Sequence, residues 1–542
     1  MNFIEEKILE KGNLDKLKFR FPPEPNGAIL ADGRSVGGLH LGHAKSICLN
    51  FGLAEKYNAP CVLRFDDTNP STERTEFVNS MIDDINWLGF KPSEIKFTSD
   101  YFVFIYNCAI TLINKGLAYV DESTSDEIAK MKGTPTTPGA NSPYRERSIE
   151  ENLFLFEGMK KGDFKEGSMT LRAKIDMSNP NMILRDPVIY RIIEMSHHRT
   201  GDKWKVYPMY DFAHPLSDYI EGTTDSLCTL EFEVHRPLYM WVLENCDLDG
   251  EFPEETEFAR LNIDSTVMSK RKINALIEGG FVSGFDDPRL LTISGLRRRG
   301  FTSSSIREFC DRVGVTKRES VVSYSLLEEI LRGELNKKSR RLMGVFDPVK
   351  VVIDNWEGVK WCEIENNPED INSGKRKVPF TKEIWIERED FREEANNKYN
   401  RLKLGGEVRL KGAFVIMANS VVKDELGNII EIHCTYDPES ESGKELGRRI
   451  KGTIHWVSLE FGANIPVNEY DKLFMTENPS DDFLNELNEN SLLVNRSAIF
   501  EPETMNLEVG VPVQMMRKGY YVLDNDGVSL NKTVSLKEGW KE

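Results

Sequence analysis

Residues 40–67 read HLGHAKSICLNFGLAEKYNAPCVLRFDD, and this stretch decides the fold. Apolar side chains at Ile47, Leu49, Phe51, Leu53 and Ala54, mixed with polar ones, predict a helix over about 43–57. Residues 61–65 are a short apolar run bounded by Pro60 and by Asp66-Asp67, the pattern of a buried strand. A second helix follows, with Ser71 or Thr72 able to cap it. Phe77, Val78, Met81, Ile82, Ile85, Trp87 and Leu88 form its apolar side. Strand–helix alternation of this kind predicts a parallel α/β core.

Outward from this core the texture changes. The loop TPTTPGANSPYRERS, within 123–148, reads as the surface of an inserted domain. KWKVYPMYDFAHPLSDYIEG resumes the α/β pattern, and 258–336 reads as helices with short loops. From Phe346 onward, PVKVVID, EIWIE, EVRLKGAFVIM, GNIIEIHCTY and GTIHWVSLEF alternate apolar and polar residues between Gly, Asn, Asp and Pro. That is sandwich or barrel texture.

The 542 residues fit about three to five domains. A formal net charge of −18 excludes bulk-basic nucleic-acid binding and leaves room only for local basic stripes. No run approaches ~18 apolar residues, and the charged N-terminus lacks an apolar signal core, so a cytoplasmic protein without a membrane span is expected. The eight cysteines are scattered with no CxxC pair. They read as reduced thiols, not as a zinc ribbon or a redox pair, and no resident metal is expected.

Two motifs carry chemistry. His40-Leu41-Gly42-His43, followed by Ala44, Lys45 and Ser46, stands at a predicted helix start. Free amides and the helix dipole favour phosphate there, and the glycine lets a ligand approach the backbone. Ordinary turn histidines would look the same. Met268-Ser269-Lys270-Arg271-Lys272 is a basic run suited to mobile phosphates or, equally, to a solvated face.

Together the two motifs resemble the class I aminoacyl-tRNA synthetases. FPPEPNG, LRFDDTNP, YPMYDFAHPLSDYIEG, SLCTLEF, ARLN, VMSKRK and SGLRRRG narrow the resemblance to the bacterial-type glutaminyl-tRNA synthetase family, from Phe19 to Trp540. The resemblance implies a multidomain α/β plus β protein. A Rossmann-type catalytic core (1–100 and 209–258) would carry an inserted acceptor-binding α/β domain (101–208). A helical subdomain (259–336) would hold the MSK loop. Two C-terminal β-barrels would read the anticodon, one from 337–389 with 460–542 and the other from 390–459.

The implied chemistry is attack of the glutamine carboxylate on the ATP α-phosphate, then transfer to the terminal adenosine of tRNA(Gln). The protein would supply positioning and charge. The resemblance casts His40, His43 and Lys270 as catalytic. It places Glu24, Pro25, Asn26, Leu41, Gly42, Ala44, Lys45, Ser46, Thr229, Arg260, Leu261, Met268 and Ser269 with them around ATP. Mg²⁺ would arrive with the nucleotide. Asp66 would bind the ammonium of L-glutamine, although a turn aspartate is its bland alternative. Tyr210 and Arg20 would meet the side chain, with His214 behind them. Arg341, Lys398, Arg401, Arg409, Lys411 and Arg517 match the anticodon-contacting region. A monomer is implied.

The main departure is Ala28–Gly38, eleven residues where the family has one. It separates the two halves of the ATP site. Either it leaves and returns as a tolerated loop, or the ATP site is disabled or regulated. Glu255 stands where the family pattern has Gln, and Val234-His235 replaces a more polar pair. A glutamate-charging enzyme and a silent tRNA-binding paralogue therefore remain rivals.

Overall fold

The computed structural model describes residues 2–24, 27–29, 35–71, 73–396 and 398–537. The expectations for Pro25, Asn26, Thr72 and Trp540 lie outside the described residues. Two compact units emerge: residues 1–263, 268–285 and 310–322 form one, and 264–267, 286–309 and 323–542 the other. Among the described residues no helix is long and apolar enough to cross a membrane.

In the first unit Cys61–Phe65 is a fully buried strand, central between Phe19–Phe21 and Glu94–Phe97, all three parallel. A second parallel pair, Asp225–Thr229 with Glu254–Phe258, joins the same unit. The helix Leu41–Tyr57 starts two residues before the predicted start, because His40 itself caps it. The helix Thr75–Trp87 starts later than predicted and has no side-chain cap at Arg74. Ser71 pairs with Asn69 instead, and Glu73 Oε1 accepts the Asn69 amide, so the chain turns before it coils. Four antiparallel strands, Ala118–Asp121, Thr170–Ala173, Val188–Ile192 and Val206–Pro208, pack on the helix Phe102–Asn114. The segment 134–148 is free of helix and strand.

Residues 28–29 and 35–36 run antiparallel beside each other. Ala28 pairs with Val36 and Ile29 with Ser35 in a short antiparallel hairpin. Its neck is narrow: a Cβ on Gly37 would lie 3.1 Å from the Gly27 Cα. The neck sits on the helix Thr75–Trp87, where Ser80 Oγ donates to Gly37 O (3.1 Å) and Asp84 Oδ2 accepts the Leu39 amide (3.0 Å).

The second unit is β-rich after the helix Tyr324–Lys338, and each alternating run named above contributes strands. The pairing departs from the expected partition. Pro348–Ile353 pairs in parallel with Ile429–Tyr436 and antiparallel with Glu383–Glu387, within one seven-stranded sheet that also holds Glu407–Leu410 and Val415–Lys423. Residues 337–389 therefore do not all fold with 460–542. Arg341–Leu342 joins Val467–Tyr470, Leu492–Asn495 and the last three strands in the six-stranded sheet, and Gly344–Val345 pairs with Ile499–Phe500. Alternation reports a buried face, not which distant strand borders it.

Candidate active site

His40 is the N-cap of Leu41–Tyr57. Its Nδ1 accepts the Gly42 amide (3.1 Å), and His43 Nδ1 accepts the His40 amide (3.1 Å). Backbone amides only donate, so each neutral ring carries its proton on Nε2. The ring centroids are 3.8 Å apart. A Cβ on Gly42 would meet His40 Cε1 at 2.8 Å. The glycine makes room for the His40 ring. Burial, and then His43, pushes His40 well below the ordinary imidazole range. Burial and the nearby Lys270 charge push His43 down to about 4. Both rings are neutral donors at pH 7.

Lys270 opens the helix Lys270–Glu278, whose cap Ser269 accepts the Lys272 amide. Burial lowers the Lys270 ammonium to about 8, with Glu24 opposing. His43, Glu24 and Lys270 therefore share one electrostatic environment. Lys45 is buried and donates to Ala259 O (2.9 Å), which ties the histidine helix to the chain entering Arg260-Leu261. Leu261 and Ala44 are buried, whereas Arg260 is exposed and pairs loosely with Glu231 (3.9 Å) and Glu319 (3.6 Å). Thr229 Oγ1 donates to Glu231 (2.9 Å). Met268 is half-buried and Ser269 exposed; Ser46 lies in the second turn of its helix, its carbonyl accepting from Asn50.

A second cluster is built on Tyr210–Glu221. Tyr210, His214, Asp218 and Glu221 share one helical face by spacing. Asp66 Oδ1 accepts from Arg64 Nε (2.9 Å) and Thr98 Oγ1 (2.9 Å), and Oδ2 faces His214 Nδ1 (3.1 Å). Burial alone would raise the Asp66 carboxyl; Arg64 and His214 outweigh it and hold it at about 2. Arg20 is fully buried. It donates to Asp218 Oδ1 (3.1 Å), Leu227 O (2.9 Å) and Ser226, and contacts His214 Nε2 at 2.7 Å. Arg20 Nη2 meets the ring at Nε2, and Nδ1 faces both Asp66 Oδ2 and Arg64 Nη2 (3.0 Å). Arg20 thus sits behind His214, and its donors go to the framework rather than to an open pocket.

Tyr210 packs on His214 (4.9 Å) and Phe232 (5.6 Å). Burial, with Asp66 adding to it, raises its phenol well above the ordinary range. Tyr210, His214, Tyr239 and Glu255 line a narrow, partly open recess of about 10 Å³, room for the centre of one water. Glu255 Oε2 is buried there without a hydrogen-bond partner. Burial raises the Glu255 carboxyl, against the pull of His214 and Arg20.

Sequence reasoning missed five neighbours. Arg64 announced itself only as a charge inside an apolar strand. Glu73 is buried with Oε2 unpartnered, and burial plus the Asp67 charge push it up to about 10, so it holds its proton at neutral pH. Asp67, His197 and His198 bring ligand-type atoms within 4.8 Å of one another. His197 Nδ1, however, accepts the amides of Arg199 (3.2 Å) and Thr200 (3.3 Å), so its Nε2 carries the proton and donates to Asp67 O (2.8 Å). The Asp67 carboxylate accepts the Ser99 amide (2.8 Å) and hydroxyl (2.6 Å). The group is a hydrogen-bonded knot in which His197 has no lone pair for a metal.

In the second unit, Arg341, Lys411 and Arg517 line one cavity of about 220 Å³ with Gln514 and His455. Arg401 lies beside Arg517 through a shared partner, Asp390. Arg409 donates instead to Ser440 O (2.8 Å), and Lys398 is exposed; neither lines the cavity.

The chain matches the family model described as tRNA synthetases class I (E and Q), catalytic domain, over residues 16–337. Anti-codon binding domain models of the same group match 339–437 and 453–524. A glutamine–tRNA ligase of Aliivibrio fischeri is 51% identical over 554 residues, covering 99% of this chain and 98% of its own. That of Vibrio parahaemolyticus is 51% identical over 553 residues (99% and 97%), and that of Cronobacter sakazakii 50% over 553 (99% and 98%). A solved glutamate–tRNA synthetase from Elizabethkingia anophelis aligns with a TM-score of 0.44 at 18% identity, over 60% of this chain and 71% of that one.

Proposed function

The chain belongs to the class I tRNA synthetases of the glutamate and glutamine group, and from that premise we propose that it joins L-glutamine to tRNA(Gln) through a glutaminyl-adenylate, consuming ATP. The observation that carries this reading is the similarity of about half the residues, over the whole length, to glutamine–tRNA ligases.

The site's chemistry fits. His40 and His43 offer two neutral Nε2–H donors at a helix start, directed at the charge that builds on the α-phosphate. Lys270 balances leaving pyrophosphate, and Mg²⁺ enters with ATP. Lys45 holds Arg260-Leu261 against the nucleotide. Asp66, kept ionised by Arg64 and His214, pairs the glutamine ammonium, and Tyr210 closes on the side chain. The hairpin 28–38 is a tolerated excursion, because its ends meet at Gly27 and Gly37 and its backbone pairs with itself. The first unit supplies the Rossmann-type core with its acceptor-binding insertion. The second supplies two barrels that read the anticodon, and its 220 Å³ cavity admits an unstacked base. The protein acts as a cytoplasmic monomer.

The test is charging of tRNA(Gln) with labelled glutamine and labelled glutamate in parallel. Charging with glutamine alone supports the proposal. Charging with glutamate, or tRNA binding with no charging, overturns it.

A further inference from the structure

Asp390 has no exposure at all, yet it faces two arginines from distant parts of the chain. Arg517 grips it as a fork, Nη1 to Oδ2 at 2.7 Å and Nη2 to Oδ1 at 2.6 Å. Arg401 Nε lies 3.2 Å from the same Oδ1. The main chain beside it is engaged as well, since Glu389 O accepts from Tyr399 Oη (2.9 Å) and Arg401 Nη1 (3.3 Å). Arg517 is one of few non-glycine residues in the left-handed region, with φ at +67°. That conformation is strained for a residue with a Cβ and persists only where the surroundings impose it.

Both guanidinium groups keep part of their surface in solvent, and Arg517 also borders the 220 Å³ cavity. A free surface arginine loses rotamer freedom on meeting a ligand. These two are already fixed: the bidentate fork sets the guanidinium plane of Arg517, and the same carboxylate aligns Arg401.

We propose that Asp390 is a positioning residue for tRNA. It holds Arg401 and Arg517 in the orientation that the anticodon loop requires, and it does not itself touch the nucleic acid. This rests on the reading of the second unit as the anticodon-binding part. The sign of the effect separates positioning from mere charge. Removing a negative charge beside a polyanion's site should tighten binding if Asp390 only balances charge. It should weaken binding if Asp390 orients the arginines.

The experiment uses the full chain and steady-state charging of tRNA(Gln), together with a transcript carrying one altered anticodon base. For Asp390→Asn the expected result is a tRNA KM raised about tenfold or more, kcat within about twofold, and a reduced preference for the unaltered anticodon. The same substitution in an Arg401→Ala/Arg517→Ala background should change the KM no further. A lower or unchanged KM for Asp390→Asn, with the arginine variants raising it, overturns the proposal alone. Unchanged tRNA KM in the arginine variants overturns the anticodon reading itself. If Asp390→Asn does not fold, Asp390→Glu, which keeps the charge but shifts the carboxylate by one methylene, carries the same test.

Discussion

His43 Nδ1 accepts the backbone amide of His40, and this bond leaves the His43 proton on Nε2. With Nδ1 engaged and the ring held neutral, only Nε2–H remains to act on a ligand. His43→Ala is expected to lower kcat about 10²–10³-fold, the scale of one lost transition-state donor. An NMR titration should place the His43 midpoint near 4. Stability follows with a definite sign. Between pH 6.5 and 4 the unfolded chain takes up a proton that the folded chain refuses. Unfolding free energy therefore falls as pH falls, by up to ~1.4 kcal/mol per unit from this group. Urea curves at pH 7 and 4.5 should differ less in His43→Ala than in the parent.

Lys270, at about 8, loses its charge within a usable range. The charging rate should decline above pH 8 as pyrophosphate loses its counter-charge. Lys270→Arg should flatten that decline while lowering the rate throughout, because arginine stays protonated but cannot reproduce a point charge. A pH–rate profile from 7 to 9 on both proteins checks this.

Gly27 is sterically locked. An added Cβ would lie 2.0 Å from Phe77 Cε1. Gly27→Ala should raise the ATP KM about tenfold or more, and Phe77→Ala in the same chain should recover part of it. Replacing 28–38 with a single tyrosine should preserve charging. A dead parent beside an active deletion would show that the hairpin blocks the site.

Glu255 leaves an acceptor oxygen bare beside Tyr210. A glutamine amide can donate to it, whereas a glutamate carboxylate meets an unpaired acceptor in a narrow recess. Glu255→Gln keeps an acceptor oxygen and restores the residue of the family pattern, so the glutamine-over-glutamate preference should hold within about threefold, whereas Glu255→Leu should cut it about tenfold or more. The ratio of kcat/KM for the two amino acids is the readout.

Asp218 anchors Arg20 and Arg64 with almost no solvent. Asp218→Ala leaves the buried Arg20 without a carboxylate partner, although Arg64 keeps Asp66 and Glu221, and should cost ~3–5 kcal/mol in urea unfolding.

Much of the site was legible because its signals are local. The spacing in 40–57 specified a helix beginning at the two histidines, and CVLRF specified a buried strand followed by a carboxylate. The alternation after Phe346 specified sheets. Local patterns record the period and polarity of an element, because a side chain's direction follows from its own backbone. What that side chain meets depends on segments far away in the chain. Only the folded protein showed that Gly42 yields its space to the His40 ring, and that Arg20 spends its donors on Asp218, Leu227 and Ser226. Only there does Pro348–Ile353 pair with a strand some eighty residues on, and only there do Arg401 and Arg517 converge on Asp390. Charge burial and strand partnership are set by the neighbours that exclude water, and those neighbours are assembled by the tertiary fold.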